Sequence, residues 1–229
     1  MVELLNIDCL EYMKTQPDKS FDLAVVDPPY GIGADGGTGT SNKGVVKKYN
    51  QVWDSPPSQW YFSELKRVSM NQVIWGANYF ENLSGGRIVW DKDNTGNFSD
   101  CEIAYQSFSI GIRKFRFRWN GMLQEDMKNK EKRIHPTQKP IALYNWIFTS
   151  YATKGQRVLD THLGSGSIAI SAFYHGLDFV GCEIDKEYYN NAFQRFGEVT
   201  RQGQLFEPPS PANNGLQPDQ TSAEQISML

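Results

Sequence analysis

Two stretches of this sequence combine residue types that could do chemistry. The first is Asp27-Pro28-Pro29-Tyr30. It follows the apolar run Phe21 to Val26, which reads as a buried strand. Proline cannot continue a central strand, so the chain must turn there. At that turn Asp27 offers a carboxylate. Pro28 and Pro29 carry no backbone N–H, so the turn presents carbonyl oxygens without competing donors. Such acceptors suit an amino group on a ring, for example that of adenine. Its nitrogen is a poor nucleophile because the lone pair is delocalised, and it carries two N–H donors. Hydrogen bonds to those donors would localise the lone pair as the nitrogen attacks a methyl group. Tyr30 offers a ring face on which a base could stack. An isolated Asp-Pro-Pro is as readily a rigid turn; Tyr30 in register and a second motif elsewhere tip the balance toward function.

The second stretch runs from Arg157 to Ser167, Arg-Val-Leu-Asp-Thr-His-Leu-Gly-Ser-Gly-Ser, and continues into the apolar helix Ile168 to Tyr174. A strand enters a glycine turn that opens a helix. Glycine lets the backbone approach a ligand, and a helix N-terminus favours a negative group. The next strand, Phe179 to Cys182, delivers Glu183, placed to accept hydrogen bonds from ribose hydroxyls. A dinucleotide site is the natural rival, but Ala169 stands where the third glycine of that fingerprint would sit. S-adenosylmethionine (SAM) fits, because its methionine carboxylate suits the helix end.

The elements around these motifs alternate. Strands are expected at Val2–Ile7, Phe21–Val26, Gln72–Trp75, Arg87–Trp90, Arg157–Leu159 and Phe179–Cys182. Helices are expected at Cys9–Thr15, Trp60–Ser69, Ile141–Tyr151, Gly166–Tyr174 and Glu187–Phe196, and Ile103–Trp119 reads as a hairpin region. That alternation predicts an α/β domain with a mainly parallel sheet. A length of 229 residues suits one domain, here 1–206, with a core of useful size. Residues 207–229 hold four prolines and no Lys, Arg or aromatic residue, and read as a disordered tail. Gly31 to Lys48 reads as a mobile loop of lid length.

Neither a basic leader nor a long apolar run opens the chain, so a cytoplasmic protein away from membranes is expected. Three widely spaced cysteines and three scattered histidines suggest neither a disulfide framework nor a metal site. The net charge is −3, yet between Gly111 and Lys139 nine basic residues face three acidic ones. They interleave with Phe115, Phe117 and Trp119. Phosphate binding needs a basic surface rather than a basic total; a solvated sheet edge would look the same. The candidate DNA-binding residues are Lys43, Lys47, Lys48, Arg113, Lys114, Arg116 and Arg118.

Together these residues resemble the amino-methyltransferases of DNA, whose catalytic motif reads Asp/Asn/Ser-Pro-Pro-Tyr/Phe. The catalytic motif comes first and the SAM motif last, which is similar to the permuted β group. Asn6-Ile7-Asp8-Cys9-Leu10 resembles that group's leading acidic motif, and His135-Pro136-Thr137-Gln138-Lys139-Pro140 its segment before the SAM motif. The resemblance covers Val2 to about Phe196. It implies a Rossmann-like, twisted seven-stranded sheet with helices on both faces. It also implies a flipped base in double-stranded DNA and direct methyl transfer, without a covalent intermediate or a metal. The implied catalytic residues are Asp27, Pro28, Pro29 and Tyr30. The implied cofactor contacts are Asp8, facing the SAM adenine, with Cys9, His135, Thr137, Gln138, Lys139, Asp160, His162, Gly164, Ser165, Gly166, Glu183 and Ile184. Members beginning with Asp mostly methylate adenine at N6; cytosine at N4 stays open, as do RNA or protein substrates and a non-catalytic module. Where the group has Asp-Pro-Phe before its glycines, this chain has Asp160-Thr161-His162-Leu163, so the aromatic contact usual there is either lost or supplied by the His162 ring. The recognition region is expected at about 91–132, and a homodimer is plausible by resemblance. Host defence, phage self-protection and regulation are all compatible roles.

Overall fold

The structure, a computed structural model, describes residues 1–32, 54–94, 99–120 and 123–203. The expected loop beyond Ile32, with Lys43, Lys47 and Lys48, and the expected tail lie outside these residues. The elements in chain order are β1 (Val2–Leu5), α1 (Cys9–Thr15), β2 (Phe21–Val26), α2 (Gln59–Val68), β3 (Ser69–Trp75), β4 (Gly86–Asp91), β5 (Cys101–Gln106), β6 (Ile112–Arg116), α3 (Ile141–Tyr151), β7 (Arg157–Asp160), α4 (Ser167–Tyr174), β8 (Asp178–Cys182) and α5 (Lys186–Gly203).

The strands form one sheet in the order β1-β8-β7-β2-β3-β5-β4-β6. The first five are mutually parallel, and β5 runs antiparallel to both β3 and β4. The central strands are apolar on both faces, as a covered sheet demands. On one face Leu23, Val25, Val73 and Trp75 pack against Leu143, Ile147 and Phe148 of α3 and Ile168 and Ala172 of α4. On the other, Ala24, Val26 and Ile74 pack against Met13 of α1 and Tyr61, Phe62, Leu65 and Val68 of α2. The α2 residues recur at helical spacing, so one face of that helix is buried. The chain leaves β2 toward α2 on one face and β7 toward α4 on the other. A crevice therefore opens beyond the carboxyl ends of these neighbouring strands, where ligands bind in such sheets.

Two expectations are corrected. The sheet has eight strands among the described residues, not seven. Ile103–Trp119 is not a hairpin: β3 and β4 occupy both edges of β5, so β6 lies parallel to β4 on its free side. That edge strand is mostly exposed and charged, with Phe115 half-buried, as edges that resist further pairing usually are.

Candidate active site

A cleft of about 370 Å³ lies over the crevice. One half is built on the turn after β7. Gly164 (φ +52°) and Gly166 (φ +71°) both adopt left-handed backbone, which glycine tolerates and other residues resist. At Gly166 a Cβ would also stand 3.2 Å from the Ala192 methyl of α5. Glu183, just past β8, is tied down by amides. Its Oε2 accepts from the Gly164 N–H at 2.9 Å and its Oε1 from the Asp185 N–H at 2.9 Å. A carboxylate has about four acceptor sites, so capacity remains for ribose hydroxyls. The first turn of α4 carries no side-chain cap and can offer its amides to a carboxylate. These residues fit SAM.

Two imidazoles line this half. Burial holds the His162 imidazole down to about 4, and its Nδ1 lies 2.9 Å from Thr161 Oγ1. Burial, then Lys139 and Arg133, holds His135 down to about 4 as well. The segment bearing His135 is fastened from both sides. Glu131 accepts from the Ile141 N–H at 2.9 Å and pairs with Arg195 at 2.8 Å. Arg195 also donates to the Ser165 carbonyl at 2.8 Å, joining the segment to the glycine turn. The Gln138 side chain accepts from the Ile134 N–H at 2.9 Å and donates to the Lys132 carbonyl at 3.2 Å, which shapes the loop.

The other half is built of charge. Asp27 extends from the end of β2; its Oδ1 accepts from the Tyr30 hydroxyl at 2.5 Å and its Oδ2 from Lys139 Nζ at 2.5 Å. The Lys139 side chain is 3 % exposed and its Nζ also lies 3.0 Å from Glu102 Oε2. Glu102 pairs in turn with Lys92. Because β5 is antiparallel, its first residues stand beside the last residues of β3 and β4: Glu102 is in register with Trp90 and Ala104 with Trp75. This brings Glu102 to the carboxyl end of the sheet. The Tyr30 ring stacks on Tyr79 with centroids 5.1 Å apart. Gly76 (φ +75°) makes room for it, since a Cβ there would fall 2.2 Å from the ring.

Burial pushes the Asp27 carboxyl up, and Lys139 opposes this. Burial acts on Glu102 in the same sense, but Lys139 and Lys92 outweigh it and hold Glu102 below its ordinary range. Burial disfavours the Lys139 ammonium, but Asp27 and Glu102 outweigh it and raise its pKa. Asp160, buried at the end of β7, is pushed up to about 8 by desolvation.

A family model described as DNA methylase, covering N6 and N4 methyltransferases, matches residues 47–194. The chain belongs to this family. The match begins after Tyr30, so it is independent of the Asp27–Tyr30 motif. The methylase is 24% identical to the type II methyltransferase M2.MboI of Moraxella bovis over 84% of this chain and 86% of that one. Its fold is similar to that of the M1.HpyAVI–SAM complex, at TM-score 0.54 and 21% identity over 85% of this chain and 100% of the other. The cytosine-N4-specific PvuII DNA methyltransferase is similar at TM-score 0.55 and 12% identity over 88% of this chain and 92% of the other.

The structure gathers most of the expected site residues. Asp27, Pro28, Pro29, Tyr30, His135, Thr137, Gln138, Lys139, His162, Gly164, Ser165, Glu183 and Ile184 all line the methylase cleft. Gly166 and Asp160 stand behind it, as turn and base. Asp8 caps α1, its Oδ1 accepting from the Leu10 and Glu11 N–H groups at 2.8 and 3.1 Å. The Cys9 thiol beside it is pushed up to about 12 by burial. The Lys139 ammonium sits on Asp27 and beside Glu102. Glu102, Lys92, Gly76 and Arg195 were missed. Arg113, Lys114, Arg116 and Arg118 are exposed at or just past β6. Three of them meet acids: Lys114 lies 3.5 Å from Asp91, while Arg116 and Arg118 both pair with Asp93.

No helix among the described residues is long and apolar enough to cross a membrane. No group of three or more His, Cys, Asp or Glu among them could hold a metal ion.

Proposed function

We propose that this methylase transfers a methyl group to the N6 amino group of adenine in double-stranded DNA, with the base flipped into the cleft. The methyl donor is SAM, which supplies an electrophilic methyl group on a sulfonium. One observation carries the reading: the Asp27 and Glu183 carboxylates line a single cleft, which supports the first as an acceptor for an amino group and the second as an acceptor for ribose.

Asp27 and the carbonyl oxygens of the Pro28-Pro29 turn accept the amino N–H groups, which restores lone-pair density on nitrogen. Tyr30 and Lys139 hold the Asp27 carboxylate still while this happens, so little reorganisation is needed in the transition state. With SAM bound, the nitrogen would take the methyl group as the carbon–sulfur pair goes to sulfur, and Asp27 would receive the proton that the nitrogen sheds. The cleft rim beyond β4, with Arg116 and Arg118 near it, is the side from which the phosphate backbone would be held.

The test is methyl transfer from SAM to unmethylated DNA, digestion to nucleosides, and mass spectrometry. N6-methyladenine is the expected product. N4-methylcytosine would keep the mechanism and replace the base. Absence of product with SAM bound would overturn the DNA assignment and send the search to RNA and protein substrates.

A further inference from the structure

The geometry points to Glu102 as a positioning residue for methyl transfer: acting through Lys139, it sets how tightly the Asp27 carboxylate is held, and so how far that carboxylate is available to the target amino group. This rests on the reading of Asp27 given above and adds a control on it.

The Lys139 ammonium has three donors and three oxygens around it: Asp27 Oδ2 at 2.5 Å, Glu102 Oε2 at 3.0 Å and the Tyr30 hydroxyl at 3.3 Å. Two carboxylates thus share one buried cation. Without the charge of Glu102, Asp27 would be the sole carboxylate on that ammonium. It would be gripped harder, and would be a weaker acceptor for the substrate. Without Lys139, the two carboxylates would face each other across a desolvated gap, and Asp27 would take up a proton and could no longer receive the one that the amino group sheds. The two members of the pair therefore act on Asp27 in opposite senses. Lys92 completes the arrangement by pairing with Glu102 from the end of β4, which keeps Glu102 charged. The other groups acting on Asp27 are Tyr30 from its own turn, Asp160 from β7 and Tyr144 from α3. None of them carries a positive charge, so the balance falls on Lys139 and Glu102.

The experiment uses the full chain and the variants E102Q and K139M, with D27N as reference. Two readouts are taken across pH. One is the titration of the Asp27 carboxyl carbon by NMR in protein without SAM, located by its loss in D27N. The other is the single-turnover rate of methyl transfer to unmethylated plasmid DNA, which keeps product release out of the measurement. E102Q should move both the Asp27 titration and the acid limb of the rate profile to lower pH, and K139M should move both to higher pH, each by about one unit. E102Q should also lower the plateau rate with SAM affinity unchanged, and E102D should restore it in part. A structural role alone would scale the rate at every pH without moving the limb, and that result would overturn the proposal. So would shifts of the same sign in the two variants. If K139M melts too early to assay, the sign of the E102Q shift decides. Opposed NMR shifts that the rate profile does not follow would show that Asp27 is not the acceptor, which would sink the underlying reading of the site. An unmoved NMR titration beside a rate that still requires Asp27 would sink this inference alone.

Discussion

The two halves of the cleft are made of different materials. The cofactor half is shaped by left-handed glycines, backbone amides and two neutral imidazoles, with Glu183 held by two N–H groups. The base half is shaped by ion pairs sunk in the sheet's end, Asp27–Lys139–Glu102–Lys92. Backbone is insensitive to single side-chain changes, so the first half should lose function by degrees. Buried charges depend on each other, since removing one strands its partner in a medium that disfavours it. The second half should fail as a unit.

Asp27→Ala is the sharpest test of that contrast. It should lower methyl transfer by roughly 10²–10⁴-fold, the range for a positioned proton acceptor, while calorimetry finds SAM affinity nearly unchanged. Equal loss of both would mean that the two halves are one site energetically. Lys139→Met should cost stability as well as rate. Its ammonium is buried against two carboxylates, and stranding such a pair costs about 3–5 kcal/mol. Thermal unfolding would show it; a melting temperature like that of the native chain would mean that water reaches the pair and screens it.

The same contrast explains what was legible in the sequence. The glycine turn, Glu183 and Asp27-Pro28-Pro29-Tyr30 are local: their spacing along the chain is their spacing in the site. The helices Cys9–Thr15 and Ile141–Tyr151 and the strand Phe21–Val26 were legible for the same reason, since periodicity or an apolar run marks them. Glu102 was not legible. It reaches Lys139 only because β5 is inserted antiparallel between β3 and β4, and strand order does not show in local pattern. The same insertion defeated the hairpin reading of Ile103–Trp119. Lys139 was legible by its motif, but its contacts with Asp27 and Glu102 were not, because the motif marks the loop and not the direction of a long side chain. Gly76 carried a signal in principle, a glycine ending a strand, but its reason is the Tyr30 ring 46 residues earlier in the chain.

In the cofactor half, Glu183→Ala should weaken SAM binding by about 1.5–3 kcal/mol for each hydrogen bond lost to the charged group, with the Asp27 side unaffected. Unchanged affinity would remove Glu183 from the ribose. Asp160 probes the base shared by both halves. Burial raises its folded pKa to about 8, above about 3.9 in the unfolded chain. The folded state thus binds that proton more tightly. The resulting stability is fully present below about pH 4 and is lost as pH climbs toward 8. Asp160→Asn has no proton to lose, so its stability relative to the native chain should rise across that window in denaturant titrations. Parallel curves would show that Asp160 is ionised throughout.

The smallest effects belong at the basic edge, outside both halves. Arg116 and Arg118 share Asp93, so each would exchange an exposed ion pair of small worth for a phosphate. Arg116→Ala and Arg118→Ala should each weaken DNA binding alike on all sequences and reduce the salt slope by about 1, leaving SAM affinity and the methyl-transfer rate on saturated DNA intact. Asp93→Asn should do the reverse and tighten binding, because it releases Arg118 and leaves Arg116 only its longer pair with Glu125 at 3.7 Å. If Asp93→Asn instead weakens binding, Asp93 is holding the two arginines in the geometry that DNA requires, and the edge is an ordered reading surface rather than a diffuse positive field.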